Sequence, residues 1–253
     1  MSGARLLVVQ HQGDCPAALF GGWWVEAGLE LDVRRADRGE LAPGPDALLA
    51  GVAGLVVLGG SPGANDDDDA PWLPAARDLV AAAAARGVPT LGICLGHQLA
   101  AVALGGTVER NPAGQTVGLT PVAWTAAAAH DPLFADVVAR RPEPVAVHWN
   151  SDVVTALPHG AVLLASTPGG DVQAARLAPT VWGVQLHPEA DRGVVEAWAA
   201  SDAVVHAERG LDQSALLGAV EAAHAELAAT WRPLADAFAR RVASGRTSEG
   251  DAA

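Results

Sequence analysis

Short apolar segments alternate with helical patterns through the first hundred residues of the chain. Three of these segments, residues 5–10, 55–58 and 90–93, have the length of a strand and lie among glycines and prolines. Between them, runs such as 72–86 repeat apolar residues at helical spacing. Strands joined through helices pair in parallel with right-handed crossovers, and uninterrupted apolar strands are typical of a sheet covered on both faces. The pattern predicts a buried parallel sheet.

Residues 106–186 show a different pattern, with little predicted helix and several short strand candidates. We expect these strands to form an antiparallel extension of the same sheet. After Pro188 the helical spacing returns, above all over 213–241. We therefore expect one domain over residues 1–200, a helical elaboration of it over 201–243 and a frayed tail over 244–253. The candidate strands of the extension are residues 120–124, 145–149, 162–166, 172–176 and 180–185.

Composition excludes several classes of protein. Half of the residues are hydrophobic and 18% are charged, which rules out a disordered chain. The net charge is −13 and the basic residues form no stripe, so a nucleic acid would be repelled. No apolar run approaches the roughly 18 residues of a membrane span, and we expect a cytoplasmic protein that binds neither membranes nor nucleic acids. The two cysteines, Cys15 and Cys94, lie far apart, which favours reduced thiols over a disulfide.

Cys94 lies between two glycines, where a predicted strand gives way to a helix. The sequence Gly92-Ile-Cys-Leu-Gly96 has the G-x-nucleophile-x-G pattern, in which small neighbours permit the strained turn that exposes a nucleophile. A helix N-terminus also favours the thiolate form of a cysteine. Free cysteine is also among the residue types most often buried as plain packing residues. The pattern alone leaves both interpretations of Cys94 open.

A second candidate is the sequence His187-Pro188-Glu189 at the end of a predicted strand. Residues two apart in an extended chain share a face, and the fixed φ of Pro188 stiffens the link between them. His187 and Glu189 therefore suit a general base and the carboxylate that orients it.

A pair of glycines, Gly59 and Gly60, follows the apolar segment 55–58. Because they lack side chains, they would let a backbone amide approach a reacting carbonyl oxygen. An ordinary strand-to-loop turn would show the same pair. This motif therefore has weight only together with the other two.

Three other features carry less weight. The four carboxylates of 66–69 indicate a solvated, self-repelling loop, since no second cluster with ligand spacing supports a metal site. Cys15 next to Pro16 has no glycine turn around it and is interpreted as a packing residue. His148 is a rival general base, because Asp152 is near enough in sequence to orient it.

Together the three motifs resemble the class I, triad-type glutamine amidotransferases, whose domain is also part of GMP synthetase. The resemblance rests on the Gly-Gly loop at 59–60, GICLGHQ at 92–98 and QLHPE at 185–189, covers roughly residues 5–200, and is greatest for free-standing GMP-synthetase-like members. The fold that it implies, together with the strand pattern, is α/β. We expect a three-layer flavodoxin-like sandwich with a mostly parallel central sheet, an antiparallel extension and C-terminal helices.

The resemblance implies a role for each motif residue. Cys94 would attack the side-chain amide of glutamine and form a γ-glutamyl thioester. His187 would move the proton, and Glu189 would orient the imidazole. The backbone N–H groups of Gly60 and Leu95 would form the oxyanion hole.

The resemblance also implies three substrate contacts, Gln98, Asn150 and Ser151. Gln98 lies one helical turn after the cysteine, where a plain helix-surface residue is the alternative. Asn150 and Ser151 replace the His-Gly that relatives carry before an aspartate. Two further departures are Ser61, which delays the proline of the usual Gly-Gly-Pro by one position, and Thr116, in a stretch that lacks a glutamate common in relatives. These departures leave the identity of the substrate open.

The predicted function is hydrolysis of the glutamine side-chain amide, which releases glutamate and ammonia without a metal or other cofactor. Only 64 of the 253 residues follow Glu189, and no G-x-x-x-x-G-K-[ST] loop occurs, so we expect a separate synthetase or acceptor subunit to receive the ammonia. Two alternatives stay open. One is a stand-alone γ-glutamyl hydrolase or peptidase that uses the same triad, and the other is a non-catalytic binding module.

Overall fold

Residues 3–244 are the part of the chain that the computed structural model describes, and they form twelve strands and eight α-helices. The strands are β1 (Ala4–Gln10), β2 (Leu29–Arg35), β3 (Gly54–Val57), β4 (Thr90–Ile93), β5 (Thr107–Arg110), β6 (Thr116–Pro121), β7 (Ala123–Trp124), β8 (Val145–Asn150), β9 (Asp152–Ala156), β10 (Val162–Ser166), β11 (Val172–Ala178) and β12 (Val181–Val184). The helices are α1 (Ala18–Glu26), α2 (Gly44–Leu49), α3 (Leu73–Ala85), α4 (Leu95–Ala103), α5 (Ala135–Arg140), α6 (Arg192–Ser201), α7 (Ala203–Glu208) and α8 (Gln213–Ser244).

Eight of the strands form the central sheet, in the order β2-β1-β3-β4-β12-β11-β10-β7. The first five run parallel to one another, and β11, β10 and β7 each run antiparallel to the strand before them. The central strands β3, β4 and β12 are buried along their whole length, as expected of a parallel sheet covered on both faces. Both the predicted parallel sheet and its antiparallel extension are confirmed.

Successive side chains of β1 enter different hydrophobic cores. Leu6 and Val8 pack in a cluster with residues of α1, α6 and α8, whereas Leu7 and Val9 pack in a cluster with residues of α3 and α4. Because the side chains of a strand alternate between faces, the two clusters lie on opposite faces of the sheet. The helices thus cover both faces, which gives the expected three layers.

Two predicted strands of the extension depart from the expected pattern. The candidate 120–124 is divided: its first two residues end β6, outside the central sheet, and its last two form β7, inside it. The segment 145–149 belongs to β8, which pairs with β6 in a two-stranded antiparallel ladder, and β5 pairs with β9 in another. The reason is that β6 offers β8 a partner along its whole length, and α8 covers the ladder, where the Trp231 indole donates to the Val145 carbonyl at 3.3 Å. The His187 main-chain N–H donates to the Val147 carbonyl at 2.8 Å. This bond fixes the ladder beside the end of β12.

The C-terminal helices pack against the rest of the domain. The helix predicted over 213–241 is confirmed as α8, Gln213–Ser244. Trp24 of α1 donates its indole N–H to the Ala235 carbonyl at 3.2 Å, which joins α8 to α1. Of the expected tail, residues 245–253 lie outside the described residues. Within the described part of the chain, no helix combines the length and the apolar character that a membrane span requires.

Candidate active site

Cys94 occupies a strained turn between β4 and α4. Its backbone has φ of 50° and ψ of −108°, a conformation that a residue with a side chain rarely adopts. The flanking glycines are required because the backbone is crowded: a Cβ atom at Gly92 would meet the main chain of Gly96, and one at Gly96 would overlap the carbonyl oxygen of Val57. The glycines of the G-x-C-x-G pattern are therefore needed for the strained turn, as the sequence predicts. The turn places Cys94 at the wall of a cavity.

His187 and Glu189 follow β12 and form a buried pair. The imidazole Nδ1 lies 2.8 Å from Glu189 Oε1, and the ring centroid lies 4.4 Å from that of Trp198. His187 and Cys94 meet above Gly59, where a Cβ atom would lie 3.1 Å from His187 Cε1 and 3.6 Å from Cys94 Cβ. The structure therefore brings together the three residues of the predicted triad.

The charge state of His187 depends on its two neighbours. Burial disfavours the imidazolium, but the charges and hydrogen bonds of Cys94 and Glu189 outweigh burial and raise the pKa of His187 above its usual value. A protonated imidazole in turn stabilises a nearby thiolate. The arrangement therefore keeps a protonated imidazole beside Cys94, supported by the Glu189 carboxylate.

The glycine loop after β3 is held by the chain that leaves β1. Gln12 binds Ser61 through both ends of its amide: Oε1 accepts the Ser61 main-chain N–H at 2.8 Å, and Nε2 donates to Ser61 Oγ at 2.9 Å. A Cβ atom at Gly60 would lie 2.9 Å from His11 Cβ, so the loop packs closely on this strand end. Among residues 3–244, no acceptor receives the main-chain N–H of Gly60 or Leu95. These two amides are available as the predicted oxyanion donors.

A cavity of about 160 Å³ adjoins Cys94 and His187. The three predicted substrate contacts, Gln98, Asn150 and Ser151, all line it. Pockets for drug-sized ligands typically measure about 300–1,000 Å³. The cavity therefore suits a small substrate, such as an amino acid.

Gln98 is buried inside the domain rather than exposed on α4. Its amide Nε2 donates to the main-chain carbonyl of Asp152 and to Gln185 Oε1, both at 3.0 Å. The interpretation of Gln98 as a plain helix-surface residue is therefore wrong. Its side chain joins α4 to the start of β9, next to Asn150 and Ser151.

Another wall of the cavity comes from residues that sequence reasoning missed. Trp149 donates its indole N–H to Asp202 Oδ2 at 2.8 Å, and Gln115 donates its side-chain N–H to the same oxygen at 2.9 Å. Trp198 lines the cavity with them. No local motif marks these residues. The single signal was the position of Trp149 directly before the predicted contact Asn150.

His148 does not form the pair with Asp152 that would make it a rival base. Its ring nitrogens lie within hydrogen-bond distance of the Ala146 carbonyl and of Gln173 Oε1, and burial lowers the pKa of His148. Asp152 instead pairs with Arg110, at 3.1 Å. His148 is thus a buried structural residue of β8, within the β6–β8 ladder.

The structure also shows what surrounds Cys15 and the acidic run 66–69. Cys15 lies in the hydrophobic core at the edge of the cavity, where burial and the charge of Asp14 raise the pKa of its thiol, and this environment suppresses thiolate chemistry. In the acidic run 66–69, Asp67 pairs with Arg77 at 2.5 Å. Across the described residues, no three His, Cys, Asp or Glu side chains form a group able to hold a metal ion.

Comparison with known families assigns the chain. Residues 24–205 match the family model for glutamine amidotransferase class-I. The chain belongs to the class I glutamine amidotransferase family. Membership confirms the family and enzyme class that the motifs predict, an amidotransferase with a cysteine nucleophile.

Relatives of this amidotransferase include GMP synthases. The glutamine-hydrolyzing GMP synthase of Parafrankia sp. is 36% identical over 168 residues, which are 65% of this chain and 26% of that protein. One subunit of the glutamine-hydrolyzing GMP synthase of Sulfolobus acidocaldarius is 35% identical over 128 residues, which are 49% of this chain and 56% of that subunit. The matched region thus spans about a quarter of the first relative and about half of the second.

Solved structures agree on the fold of the amidotransferase. A glutamine amidotransferase from Thermotoga maritima superposes with a TM-score of 0.81 at 22% identity, over 95% of this chain and 98% of that one. A glutamine amido transferase from Methylobacillus flagellatus gives 0.75 at 26% identity, over 97% and 95% of the two chains. The three-layer α/β architecture is therefore that of solved members of the family.

Proposed function

We propose that the chain hydrolyses the side-chain amide of glutamine through a γ-glutamyl thioester on Cys94. The observation that carries the proposal is the meeting of Cys94 and His187 above Gly59, with Glu189 bonded to the far side of the imidazole at 2.8 Å. A strained cysteine, a base close to it and a carboxylate bonded to that base form the constellation that acyl transfer requires.

In the first half-reaction, the thiolate of Cys94 attacks the amide carbon and the carbonyl π pair moves to oxygen. The N–H groups of Gly60 and Leu95 donate to this oxyanion. The imidazolium of His187 gives its proton to the amide nitrogen, the C–N bond breaks, and ammonia leaves. The acyl group is left on sulfur as a thioester.

In the second half-reaction, neutral His187 takes a proton from water while the water oxygen attacks the thioester carbon. The C–S bond breaks with its electron pair on sulfur, which restores the thiolate–imidazolium pair and releases glutamate. Glu189 keeps Nδ1 protonated and Nε2 directed at the reacting groups in both steps.

The cavity supports glutamine as the substrate. Gln98, Asn150 and Ser151 line it beside Cys94, and we assign them to binding the glutamine main chain. They present side-chain and backbone polar groups in a space of about 160 Å³. Free glutamine is therefore favoured over a bulky γ-glutamyl peptide.

We further propose that the ammonia goes to a synthetase partner. The support is the similarity to the GMP synthase of Parafrankia sp., of which the matched region spans a quarter, and to the matched subunit of the Sulfolobus acidocaldarius enzyme. The partner would bind the acceptor, an electrophile whose carbon ammonia attacks with displacement of a leaving group.

The test is to incubate the purified chain with glutamine and with a panel of γ-glutamyl peptides and to measure glutamate and ammonia. We expect glutamate and ammonia in equal amounts from glutamine and no product from the Cys94→Ala variant. Release of glutamate from peptides but not from glutamine would instead identify a γ-glutamyl hydrolase. Absence of product from every compound would overturn the proposal in favour of a binding module.

A further inference from the structure

Gln185 is a buried residue beside Cys94 that the proposed mechanism does not use. It directly follows β12, and its side-chain Nε2 donates to Cys94 Sγ at 3.5 Å. The residue is fully buried and does not line the cavity. Its contact is therefore with the reacting sulfur and not with a bound substrate.

The register of the central sheet places these two residues side by side. Ile93 of β4 pairs with Val184 of β12, and the main-chain N–H of Cys94 donates to the Val184 carbonyl at 2.8 Å. The residues that follow, Cys94 and Gln185, therefore lie at the same level of the sheet edge. The main-chain N–H of Gln185 donates to the Gln173 carbonyl at 2.9 Å, which fixes its backbone to β11. The contact with sulfur is thus held by the sheet itself.

Gln98 determines which end of the Gln185 amide faces the sulfur. Gln98 Nε2 donates to the Asp152 main-chain carbonyl at 3.0 Å, and that oxygen can only accept. The same Nε2 donates to Gln185 Oε1, also at 3.0 Å. A rotated Gln185 amide would bring two NH₂ groups together and would turn its oxygen toward the sulfur. The Gln185 donor is therefore directed at Cys94 before any substrate binds.

The other contacts of Cys94 Sγ show which form of the sulfur this donor suits. A thiol can donate toward the Trp149 carbonyl, which lies 3.9 Å away, but a thiolate has no proton for that carbonyl and requires donors. Within residues 3–244, the side chains that supply such donors to Sγ are His187 and Gln185. A hydrogen bond to the charged form of a group favours that form.

We propose that Gln185 is a catalytic residue that stabilises the thiolate of Cys94, and that Gln98 is a positioning residue that holds Gln185 for this task. The inference rests on the proposed function, in which the sulfur is negative before it attacks the amide and again when the thioester C–S bond breaks. The hydrogen bond from Gln185 therefore contributes to both half-reactions. Gln98 also lines the cavity, so this role is additional to its substrate contact.

Alkylation of Cys94 by iodoacetamide tests the thiolate without glutamine. Every protein carries Cys15→Ser, so that a single thiol reacts, and mass spectrometry gives the rate across a range of pH. Gln185→Met keeps an unbranched side chain of similar length and removes the donor. We expect the rate at neutral pH to fall about 3- to 10-fold and the pH of half-maximal rate to rise by about 0.5–1 unit, because the thiolate is less favoured.

A merely structural role of Gln185 predicts a different result. It would change the alkylation rate by one factor at every pH and leave the pH of half-maximal rate unmoved, and this outcome would overturn the proposal. The titratable groups that interact with Cys94 in the described part of the chain are His187 and Cys15. His187 is unchanged and Cys15 is replaced in all the proteins compared, so the difference between them reports Gln185.

The matched control is Gln173→Met on β11. It makes the same change at another buried glutamine, whose Oε1 contacts His148 Nε2 instead of Cys94. The alkylation profile of this variant should match that of the parent protein, with thermal unfolding as the check on folding. An equal shift in Gln173→Met would show that the loss of any buried amide is sufficient, and the assignment of Gln185 would be wrong.

A double-mutant cycle tests the positioning role of Gln98. Gln98→Met alone should raise the pH of half-maximal alkylation by less than Gln185→Met does, because Gln185 keeps its donor but loses the group that orients it. In the Gln185→Met background, Gln98→Met should add no further shift. Additive shifts would show that Gln98 acts on Cys94 independently of Gln185, which would refute its positioning role.

Kinetics with glutamine separate this inference from the proposed function. Gln185→Met should lower kcat by about 3- to 10-fold with little change in KM, since Gln185 contacts the sulfur and not the cavity. A shifted alkylation profile in a chain that does not hydrolyse glutamine would support the donor and overturn the proposed function. Hydrolysis of glutamine together with an unmoved alkylation profile would do the reverse.

Discussion

The cavity has two sides that are built in different ways. The reacting side is Gly60, Cys94 and His187, each within three residues of the end of a parallel strand. These strands, β3, β4 and β12, are neighbours in the sheet. Parallel strands of an open α/β sheet place their carboxyl ends at one edge, so short motifs that follow neighbouring strands meet there.

The recognition side is Gln115, Trp149 and Asp202, and it is assembled from distant parts of the chain. Hydrogen bonds join Trp149 to Asp202 across 53 positions and Gln115 to Asp202 across 87. These residues lie on the separate β6–β8 ladder or next to it, and between α6 and α7. We infer from this difference that the sheet edge sets the chemistry, whereas the elements packed over it set the choice of substrate.

The largest effect should come from the centre of the reacting side. Cys94→Ser should lower kcat by more than about 10⁴-fold, because an alkoxide is far harder to form at neutral pH than a thiolate. Cys15→Ser is the matched control at the other cysteine of the cavity and should keep nearly the wild-type rate. Glutamate release and thermal unfolding of both variants provide the check. If Cys15→Ser lost as much activity as Cys94→Ser at unchanged stability, the nucleophile would be misassigned.

The pair behind Cys94 should have the next largest effect. His187→Ala should lower kcat by about 10²–10⁴-fold, because general acid–base catalysis is lost in both half-reactions. Glu189→Gln should be no more damaging than His187→Ala, and Glu189→Ala the mildest, since an alanine does not stabilise the wrong tautomer. His148→Ala should alter KM more than kcat. Near-complete loss in His148→Ala with most activity kept in His187→Ala would transfer the role of base to His148.

A pH profile of kcat/KM tests the electrostatic part of the same pair. The raised pKa of His187 keeps its proton at neutral pH, so activity should persist well above about pH 6.5, the ordinary value for histidine, and fall as pH rises through the raised pKa. Glu189→Gln removes one of the charges that raise this pKa. Its alkaline limb should therefore lie at lower pH than that of the wild type, and an unmoved limb would contradict the ion pair.

Much of the reacting side follows from the sequence, because each piece is local. The elbow needs glycines at 92 and 96, where the backbones touch, and His187 and Glu189 need an extended spacing of two. The parallel strands and α8 also follow from periodicity. Local pattern predicts these features, and the occurrence of the three motifs together favours Cys94 as a nucleophile over a packing residue.

The glycine loop's support, the β6–β8 ladder and the recognition side depend on contacts between residues that are distant in sequence. The bonds between Gln12 and Ser61 span 49 positions, and the ladder of β6 and β8 depends on which strand finds which partner. The Asp202 carboxylate is placed by donors from two other segments. Pairing choices of this kind are decided by tertiary packing, so the recognition side was not predictable from one sequence.

The rigidity of the reacting side predicts a pair of opposite effects on stability. Gly96→Ala should lower the free energy of unfolding by about 3 kcal/mol or more, because the new Cβ overlaps the Val57 carbonyl. At Gly22 in α1, a new Cβ would have no atom within 4 Å. Gly22→Ala should therefore raise the free energy of unfolding by about 0.5–1 kcal/mol. Urea unfolding measures both. Equal stability of the two variants would show that the backbone at the elbow can yield.

Loss of the hydrogen bonds between Gln12 and Ser61 should have a moderate effect on kcat. Gln12→Leu removes both hydrogen bonds that hold the residue after Gly60, so the oxyanion donor is less well placed and kcat should fall by about 10-fold, less than the loss of a donor itself. Ser61→Ala removes only the bond to Oγ and should have a smaller effect. Steady-state kinetics with glutamine separate kcat from KM. A rise in KM with unchanged kcat would place Gln12 on the recognition side instead.

The smallest expected effect concerns a single hydrogen bond on the recognition side. Trp149→Phe keeps an aromatic ring against Trp198 and His206 but removes the indole N–H that donates to Asp202 Oδ2. Because Gln115 still holds that oxygen, the carboxylate is loosened rather than released, and one net hydrogen bond is worth about 0.5–1.5 kcal/mol. KM for glutamine should therefore rise about 2- to 13-fold with kcat nearly unchanged, in contrast to Gln12→Leu.

Trp124→Phe is the matched control for Trp149→Phe. Trp124 donates its indole N–H to the Arg141 carbonyl at 2.9 Å, away from the cavity, so the same chemical change should leave both KM and kcat for glutamine unaltered. If Trp149→Phe lowered kcat and left KM alone, Asp202 would act on the reacting atoms. The reacting side and the recognition side would then not be separate in function, because one hydrogen bond on the recognition side would control the rate of the chemical step.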